Sequence, residues 1–432
     1  MSFAALLSTA RKKSASGRTT LSGHVSFEIV TKAARLKELK PEWDALWNRC
    51  RNGGVFQSFD CCLTVWQAIA EPAGHKLFCI VGWDGLRMVA VWPCTTYRKL
   101  ALRFAVPLLP TGGEYIDILI DETVDQQGWI KGAWHRLRTE FNFDLVILPN
   151  LRTGTDLSQL FYFCMEKAAI YSDVGAYAHL RREKDWQSYY ESLSDSPRRE
   201  LASKRRQLAK LGTVEFEILE AGDPRCSEII GWMLSQKRVW AERTNKKGHW
   251  LFSEGYRQYL TRLLADSVAT PKRAIMCLTL EGVPIAAKIV AIGKDTLELI
   301  IGGFDARYRK YSPGMRLDEH WVKWALERKL DCDFGAGREH YKSFWSRNNV
   351  IRMNTYWIPM SWRGAVALQL RGGLHGTRSR YRTLRMRWRS RSAAPFRDTV
   401  TLPATLSSDR PARRDAQALE TRRKRSRPEE PK

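Results

Sequence analysis

None of the nine cysteines (positions 50, 61, 62, 79, 94, 164, 226, 277 and 332) belongs to a Cys-x-x-Cys pair, so no zinc site is indicated. Their odd number and scattered spacing also argue against a disulfide framework, which leaves reduced core thiols and a cytoplasmic protein as the expectation. No run of eighteen apolar residues occurs, which excludes an ordinary transmembrane helix. The short apolar run at 3–7 precedes Arg11-Lys12-Lys13, the reverse of the secretory order, and argues against export. No serine, cysteine and histidine grouping stands out, so a covalent intermediate is not favoured. Acidic residues are scarce as well, with 46 Asp and Glu against 71 Lys and Arg and a net charge of +25.

That charge is unevenly placed. Residues 366–432 hold 18 Lys and Arg against 6 Asp and Glu, a net +12, and leave +13 on the body. A body so charged attracts CoA, nucleic acid, anionic polymer or anionic lipid. With 432 residues, 44% hydrophobic content and 17 tryptophans, the chain is long and apolar enough for two globular domains and tails. Residues 1–24, rich in Ser, Ala and Lys/Arg, read as disordered. Then come a strand at 27–30, a helix at 36–50, a hairpin at 76–83 and 87–96 turned by Asp84-Gly85, a strand at 115–120, a helix at 127–140 and a strand at 145–148. Between 150 and 186 the pattern weakens and a join between domains is expected.

A helix follows, read from Ser196 as N-cap and Pro197 at its first position, over 197–211, and ending at Gly212. It carries Arg198, Arg199, Lys204, Arg205, Arg206 and Lys210 beside a narrow stripe of Leu201, Leu208 and Leu211. Most of it must therefore face water or an anionic partner. Next come a strand at 214–219, helices at 227–244 and 254–264 with a loop at 245–250 between them, and a hairpin at 274–280 and 284–292. The chain is organised around what comes next: a strand at 297–304 ending in Gly302-Gly303, a loop with Arg307, Arg309 and Lys310, the turn Ser312-Pro313-Gly314, a helix at 315–329, and a strand at 330–334 running into a glycine loop. Cations ahead of a helix N-terminus read either as an ordinary turn with solvated arginines or as a phosphate cradle. The spacing is neither G-x-x-x-x-G-K-[ST] nor G-x-G-x-x-G, so neither a P-loop NTPase nor a dinucleotide fold is supported. Asp333, Glu339, His340, Tyr341 and Lys342 then crowd the end of the second strand, where catalytic groups collect in open α/β folds. A closing strand is expected at 354–360, and the arginine-rich segment 365–391 reads as a helix or as a solvated tail.

Tyr308-x-x-Tyr311-Ser312-Pro313-Gly314, a helix, and Asp333-Phe334-x-x-Gly337-x-Glu339-x-Tyr341-Lys342-x-x-Trp345 resemble the CelD/BcsL-type acetyltransferase family, associated with cellulose and exopolysaccharide synthesis. That family belongs to the GNAT superfamily and is similar to the FemAB transferases, which carry two GNAT-like units in one chain. The resemblance covers 27–362 and is strongest from Leu193 onward. It implies an α/β (α+β, mixed-sheet) protein of two tandem GNAT-like units, at 25–175 and 176–365, with a disordered basic tail over 366–432.

The resemblance also implies transfer of an acyl group, acetyl foremost, from acyl-CoA to an amine or hydroxyl of a sugar, polysaccharide or cell-envelope precursor, without a metal. Arg307, Arg309, Lys310, Tyr311 and the N–H groups around Ser312, Gly314 and Met315 would cradle the CoA pyrophosphate, and backbone at Gly302 and Gly303 would meet its pantetheine arm. Tyr341 would be the general acid, Glu339 or Asp333 the base, and Lys342 would orient an oxyanion or carboxylate. His249, Trp250 and Trp345 are the expected substrate contacts. The alternatives are a FemAB-like transferase drawing on aminoacyl-tRNA, and a non-catalytic scaffold binding RNA or an anionic membrane through the helix at 197–211 and the tail. A cytoplasmic protein, able to lie at the inner face of a membrane, is the expected setting.

Overall fold

The computed structural model describes residues 19–20 and 25–371, apart from 52, 112–113, 156–157, 159–167, 246–247 and 338. The expected disordered segment at 1–24 lies outside them, except that Thr19–Thr20 (β1) pair antiparallel with Val25–Val30 (β2). Of the disordered tail expected over 366–432, residues 366–371 are instead helical, and the rest lies outside the described residues.

In the first half, helices Ala33–Glu38 (α1) and Lys40–Arg49 (α2) replace the single helix expected over 36–50. Pro41 lacks the N–H that a continuous helix would bond to the preceding turn, and the chain breaks at Leu39. Phe59–Val65 (α3) is capped by Ser58, whose hydroxyl accepts from the Cys61 N–H. Lys76–Asp84 (β3) and Arg87–Lys99 (β4) form the expected hairpin about Gly85, whose φ of +58° suits glycine. Leu102–Pro107 (β5), which no alternation announced, extends it. The strand expected at 115–120 contracts to Leu119–Ile120 (β6), bonded to β4. Gln126–Thr139 (α4), Leu145–Arg152 (β7) and a second unannounced strand, Ala169–Ala178 (β8), complete this half.

Trp186–Glu191 (α5) leads into the basic helix Asp195–Ala209 (α6). Ser194, not Ser196, occupies its N-cap position, which puts Pro197 inside the first turn, where its missing N–H costs nothing. Then follow Val214–Glu220 (β9), Cys226–Arg243 (α7), Glu254–Leu263 (α8), and the strands Lys272–Leu280 (β10), Val283–Ile292 (β11) and Thr296–Phe304 (β12). The loop expected after β12 is a 3-10 helix, Ala306–Tyr311. Pro313–Glu327 (α9), Asp331–Ala336 (β13), His340–Trp345 (α10), Val350–Pro359 (β14) and a helix at 362–371 (α11) end the described chain.

These strands join into one mixed sheet in the order β1-β2-β3-β4-β5-β7-β14-β8-β13-β12-β11-β10-β9, with β6 beside β4. The halves exchange strands, since β14 lies between β7 and β8 of the first half, and β8 lies beside β13 of the second. One apolar core, containing Trp43, Phe59, Met233 and Tyr259, draws on helices of both halves. A second packs α4 against the first half through Trp129 and Leu137, and a third packs α5, α6, α9 and α10 against the second half through Tyr189, Leu201, Trp321 and Trp345.

Candidate active site

β12 and β13 run parallel and pair at three positions, Thr296 with Asp331, Leu297 with Cys332 and Glu298 with Asp333. Beyond Asp333 no described pairing joins them, and residues 299–303 of β12 line a cavity of ≈ 690 Å³. On its other side β12 remains bonded to β11, with a bulge at Ile300, where Ile289 faces Ile301 and Val290 faces Leu299. A bulge bends and twists its strand, and this one lies where β12 parts from β13. The result is a wedge with free backbone N–H and C=O groups along one wall. Phe56, Glu114 and Tyr115 of the first half close the cavity from across the sheet.

The expected base Asp333 is 1% exposed and fully engaged. One carboxylate oxygen accepts from the Tyr115 hydroxyl at 3.0 Å and the Gly335 N–H at 2.8 Å, and the other from the Arg152 guanidinium at 2.6 Å. Arg152 also lies 3.9 Å above the Tyr115 ring, so this cluster ties the two halves together. Glu298 lies beside it on β12. Burial, reinforced by the Asp333 charge and opposed by Arg152, pushes its pKa up to about 7.

Tyr341, the expected acid, lines the same cavity. Burial, reinforced by Glu339, raises its pKa, so the phenol is protonated at neutral pH. Lys288 approaches its ring at 5.1 Å and forms a buried ion pair with Asp318, whose same oxygen accepts from the Trp321 indole N–H at 2.8 Å. Burial, reinforced by the Lys342 charge, depresses the Lys288 ammonium. Lys342, expected to orient an oxyanion, donates instead to the Ala336 carbonyl at 2.5 Å and pairs with Glu339 at 3.1 Å. It thereby holds a loop in which Gly335 and Gly337 adopt φ of +72° and +114°.

Of the expected pyrophosphate cradle, Arg309, Ser312, Gly314 and Met315 line the cavity, whereas Arg307, Lys310 and Tyr311 do not. Arg307 is held by Asp305, with contacts of 2.6 to 3.1 Å. Ser312 adopts a left-handed conformation, and Pro313 starts α9, so the Gly314 and Met315 N–H groups fall in the first turn, where no intrahelical acceptor exists. Gly302 and Gly303 also line the cavity, but both are demanded by packing: a Cβ would come within 2.9 Å of the Lys288 side chain and 3.0 Å of the Met233 carbonyl, respectively.

The expected substrate contacts separate. Trp250 lines the cavity, edge-on to Tyr256 at 4.8 Å, and His249 does not. Trp345 is completely buried between Trp186 and Phe344, in the core rather than the cavity. Sequence reasoning missed Glu298 and Lys288, although a lone charge within an apolar strand, as in Leu297-Glu298-Leu299-Ile300, is itself a signal of a built polar site. Arg152 and Tyr115 carried no local signal. Among the described residues no group of three His, Cys, Asp or Glu side chains is gathered to hold a metal, and no helix is long and apolar enough to cross a membrane.

Residues 195–343, which include α6 and the whole wedge, match the family described as an acetyltransferase (GNAT) domain. No curated protein matches the sequence. The fold is similar to the crystal structure of FemX, with a TM-score of 0.52 and 11% identity over 74% of this chain and 96% of that one. Weaker likeness extends to a tandem GNAT protein from the clavulanic acid biosynthesis pathway (TM-score 0.43, 10% identity, 78% of this chain and 99% of that one). It extends also to L-PGS from Bacillus licheniformis (TM-score 0.44, 12% identity, 78% and 96%). At such identities the likeness concerns the fold alone.

Proposed function

We propose that the protein transfers an acyl group, acetyl foremost, directly from acyl-CoA to an amine or hydroxyl of a sugar, polysaccharide or cell-envelope precursor. The observation that carries this reading is the wedge itself: an open β12 edge, a helix N-terminus at one end, and a carboxyl poised near neutrality facing the same cavity as a protonated phenol. The N–H groups of Gly314 and Met315, with Arg309, would hold the pyrophosphate. The free edge at 299–303 would bind the pantetheine arm as a further strand and polarise the thioester carbonyl.

In this reaction Glu298, as carboxylate, accepts the proton that the acceptor's N–H or O–H loses as it bonds to the carbonyl carbon. When the C–S bond breaks, Tyr341 donates its proton to the departing sulfur. The products are the acylated acceptor and free CoA thiol, and proton exchange with solvent restores both side chains. Asp333 and Lys342 act as positioning residues in this scheme, because their polar atoms are already bonded to the protein.

The test is a thermal shift of the full chain with acetyl-CoA, since a ligand specific to the folded state stabilises it by mass action. A shift that Arg309→Ala weakens and Tyr341→Phe retains supports the proposal. Absence of any shift with acetyl-CoA or longer acyl-CoAs refutes it. In that case a second reading takes over, transfer from an aminoacyl group on RNA, which the exposed cations Arg199, Arg205 and Arg206 of α6 and Lys210 just after it favour. That reading requires RNA binding that weakens steeply with salt.

A further inference from the structure

α11 packs on the rest of the protein through one face. Gly364 sits so close to the Asp144 carbonyl that a Cβ would lie 1.9 Å from it, and Ser361 bonds the Asp144 carboxylate at 2.6 Å. At the other end the Arg371 guanidinium lies 3.8 Å above the Trp357 ring. Successive helical residues turn by about 100°, so the face opposite Gly364, Leu368 and Arg371 carries Trp362, Val366 and Leu370. A surface helix normally turns polar residues outward. Here three of the outward residues are apolar and exposed, Trp362 by 76%, Val366 by 45% and Leu370 by 64%, beside the exposed Gln369.

The neighbouring surface repeats the combination. Arg363 donates to the Ala101 carbonyl, which brings α11 beside the β4–β5 turn. Leu100, at that turn, is 93% exposed and flanked by the exposed Arg98, Lys99 and Arg103. Arg98 and Arg103 stand directly opposite one another across the hairpin, where like charges are unfavourable, and neither forms an ion pair with a described residue. Residues 372–391, which follow α11 in sequence, contain seven arginines and no acid.

We infer that the surface formed by α11 and the β4–β5 turn docks the protein on an anionic lipid bilayer, with Leu100, Trp362, Val366 and Leu370 entering the headgroup boundary and the arginines meeting lipid phosphates. Apolar side chains lifted clear of the fold and set among exposed cations, with the nearby Asp144 buried and already bonded to Ser361, match an interface that is greasy below and negative above. A nucleic acid would meet the cations but would give the aliphatic side chains nothing to enter.

The test is co-sedimentation of the full chain with vesicles of phosphatidylcholine alone or mixed with phosphatidylglycerol, for wild type, Trp362→Glu/Leu370→Glu and Leu100→Glu. All three altered side chains are exposed, and unchanged unfolding temperatures confirm that the variants fold. The expected result is partition onto phosphatidylglycerol vesicles only, weakened roughly tenfold or more by the double substitution and several-fold by Leu100→Glu. Binding that the substitutions leave unchanged overturns the inference, as does binding to an unstructured RNA oligonucleotide without binding to vesicles. The CoA thermal shift is independent of these outcomes, so the two proposals fail separately.

Discussion

Glu298 and Asp333 face each other at the last paired position of β12 and β13, and at that point the two strands part. Two buried carboxyls thus sit at the apex of the wedge and both line the cavity, and Arg152 and Tyr115 of the first half bond the Asp333 carboxylate. The Asp333 charge adds to burial in raising the Glu298 pKa, and Arg152 opposes both.

Glu298→Gln lowers kcat by about 10²–10⁴-fold. In wild type, activity rises with pH through the Glu298 midpoint of about 7, and the variant's residual rate loses that limb. Stability responds in the opposite sense. The folded-state pKa lies above the ordinary 4.5, so the folded protein holds a proton through that window and loses stability as pH rises from about 4.5 to about 7. The variant is spared this loss. Its unfolding temperature, measured by scanning calorimetry, exceeds wild type near pH 8 and matches it near pH 4.5.

Arg152→Met leaves Asp333 and Glu298 buried without their cation, and costs about 3–5 kcal/mol in denaturant unfolding. Arg152 opposes the rise in the Glu298 pKa, so the pH–rate profile of the surviving enzyme moves to higher pH. Adding Asp333→Asn removes one uncompensated charge and restores part of the stability.

Tyr341→Phe retains the acetyl-CoA thermal shift and lowers kcat by about 10²-fold or more, because the thiolate then leaves without a proton. A phenol serving only to fill space gives an unchanged kcat in the same assay.

Trp345→Ala destabilises the fold by about 3–5 kcal/mol, as for other fully buried aromatics, without a change in acceptor KM at a temperature where the variant is folded. Gly303→Ala forces a Cβ against the Met233 carbonyl and lowers the unfolding temperature. Gly314→Ala, whose nearest contact is the Phe304 ring at 3.4 Å, changes it little.

Periodicity and turn residues were enough to read most of the second half from β9 to β13, because each element there is local: Glu281-Gly282 turns a hairpin, and Pro313 starts a helix at a position where no N–H is needed. The same local signals marked Tyr341 and the Ser312–Met315 turn. They misled where one residue type serves two ends. Lys342 and Arg307 read as ligands for a substrate, and each also bonds within its own loop, whereas Trp345 closes a motif because it fills a core.

What the sequence determined by itself is the set of strands and helices with a strong period, the excess of positive charge and its concentration beyond 366, and the cationic turn before α9. Tertiary structure alone decided the strand exchange that lays β14 between β7 and β8, because nothing within a strand names its partner when that partner lies some 200 residues away. It also decided how Glu298 titrates. A glutamate in an apolar strand becomes an acid that titrates near neutrality only when burial removes its water and Arg152 and Asp333, distant in sequence, arrive from opposite sides with opposing charges.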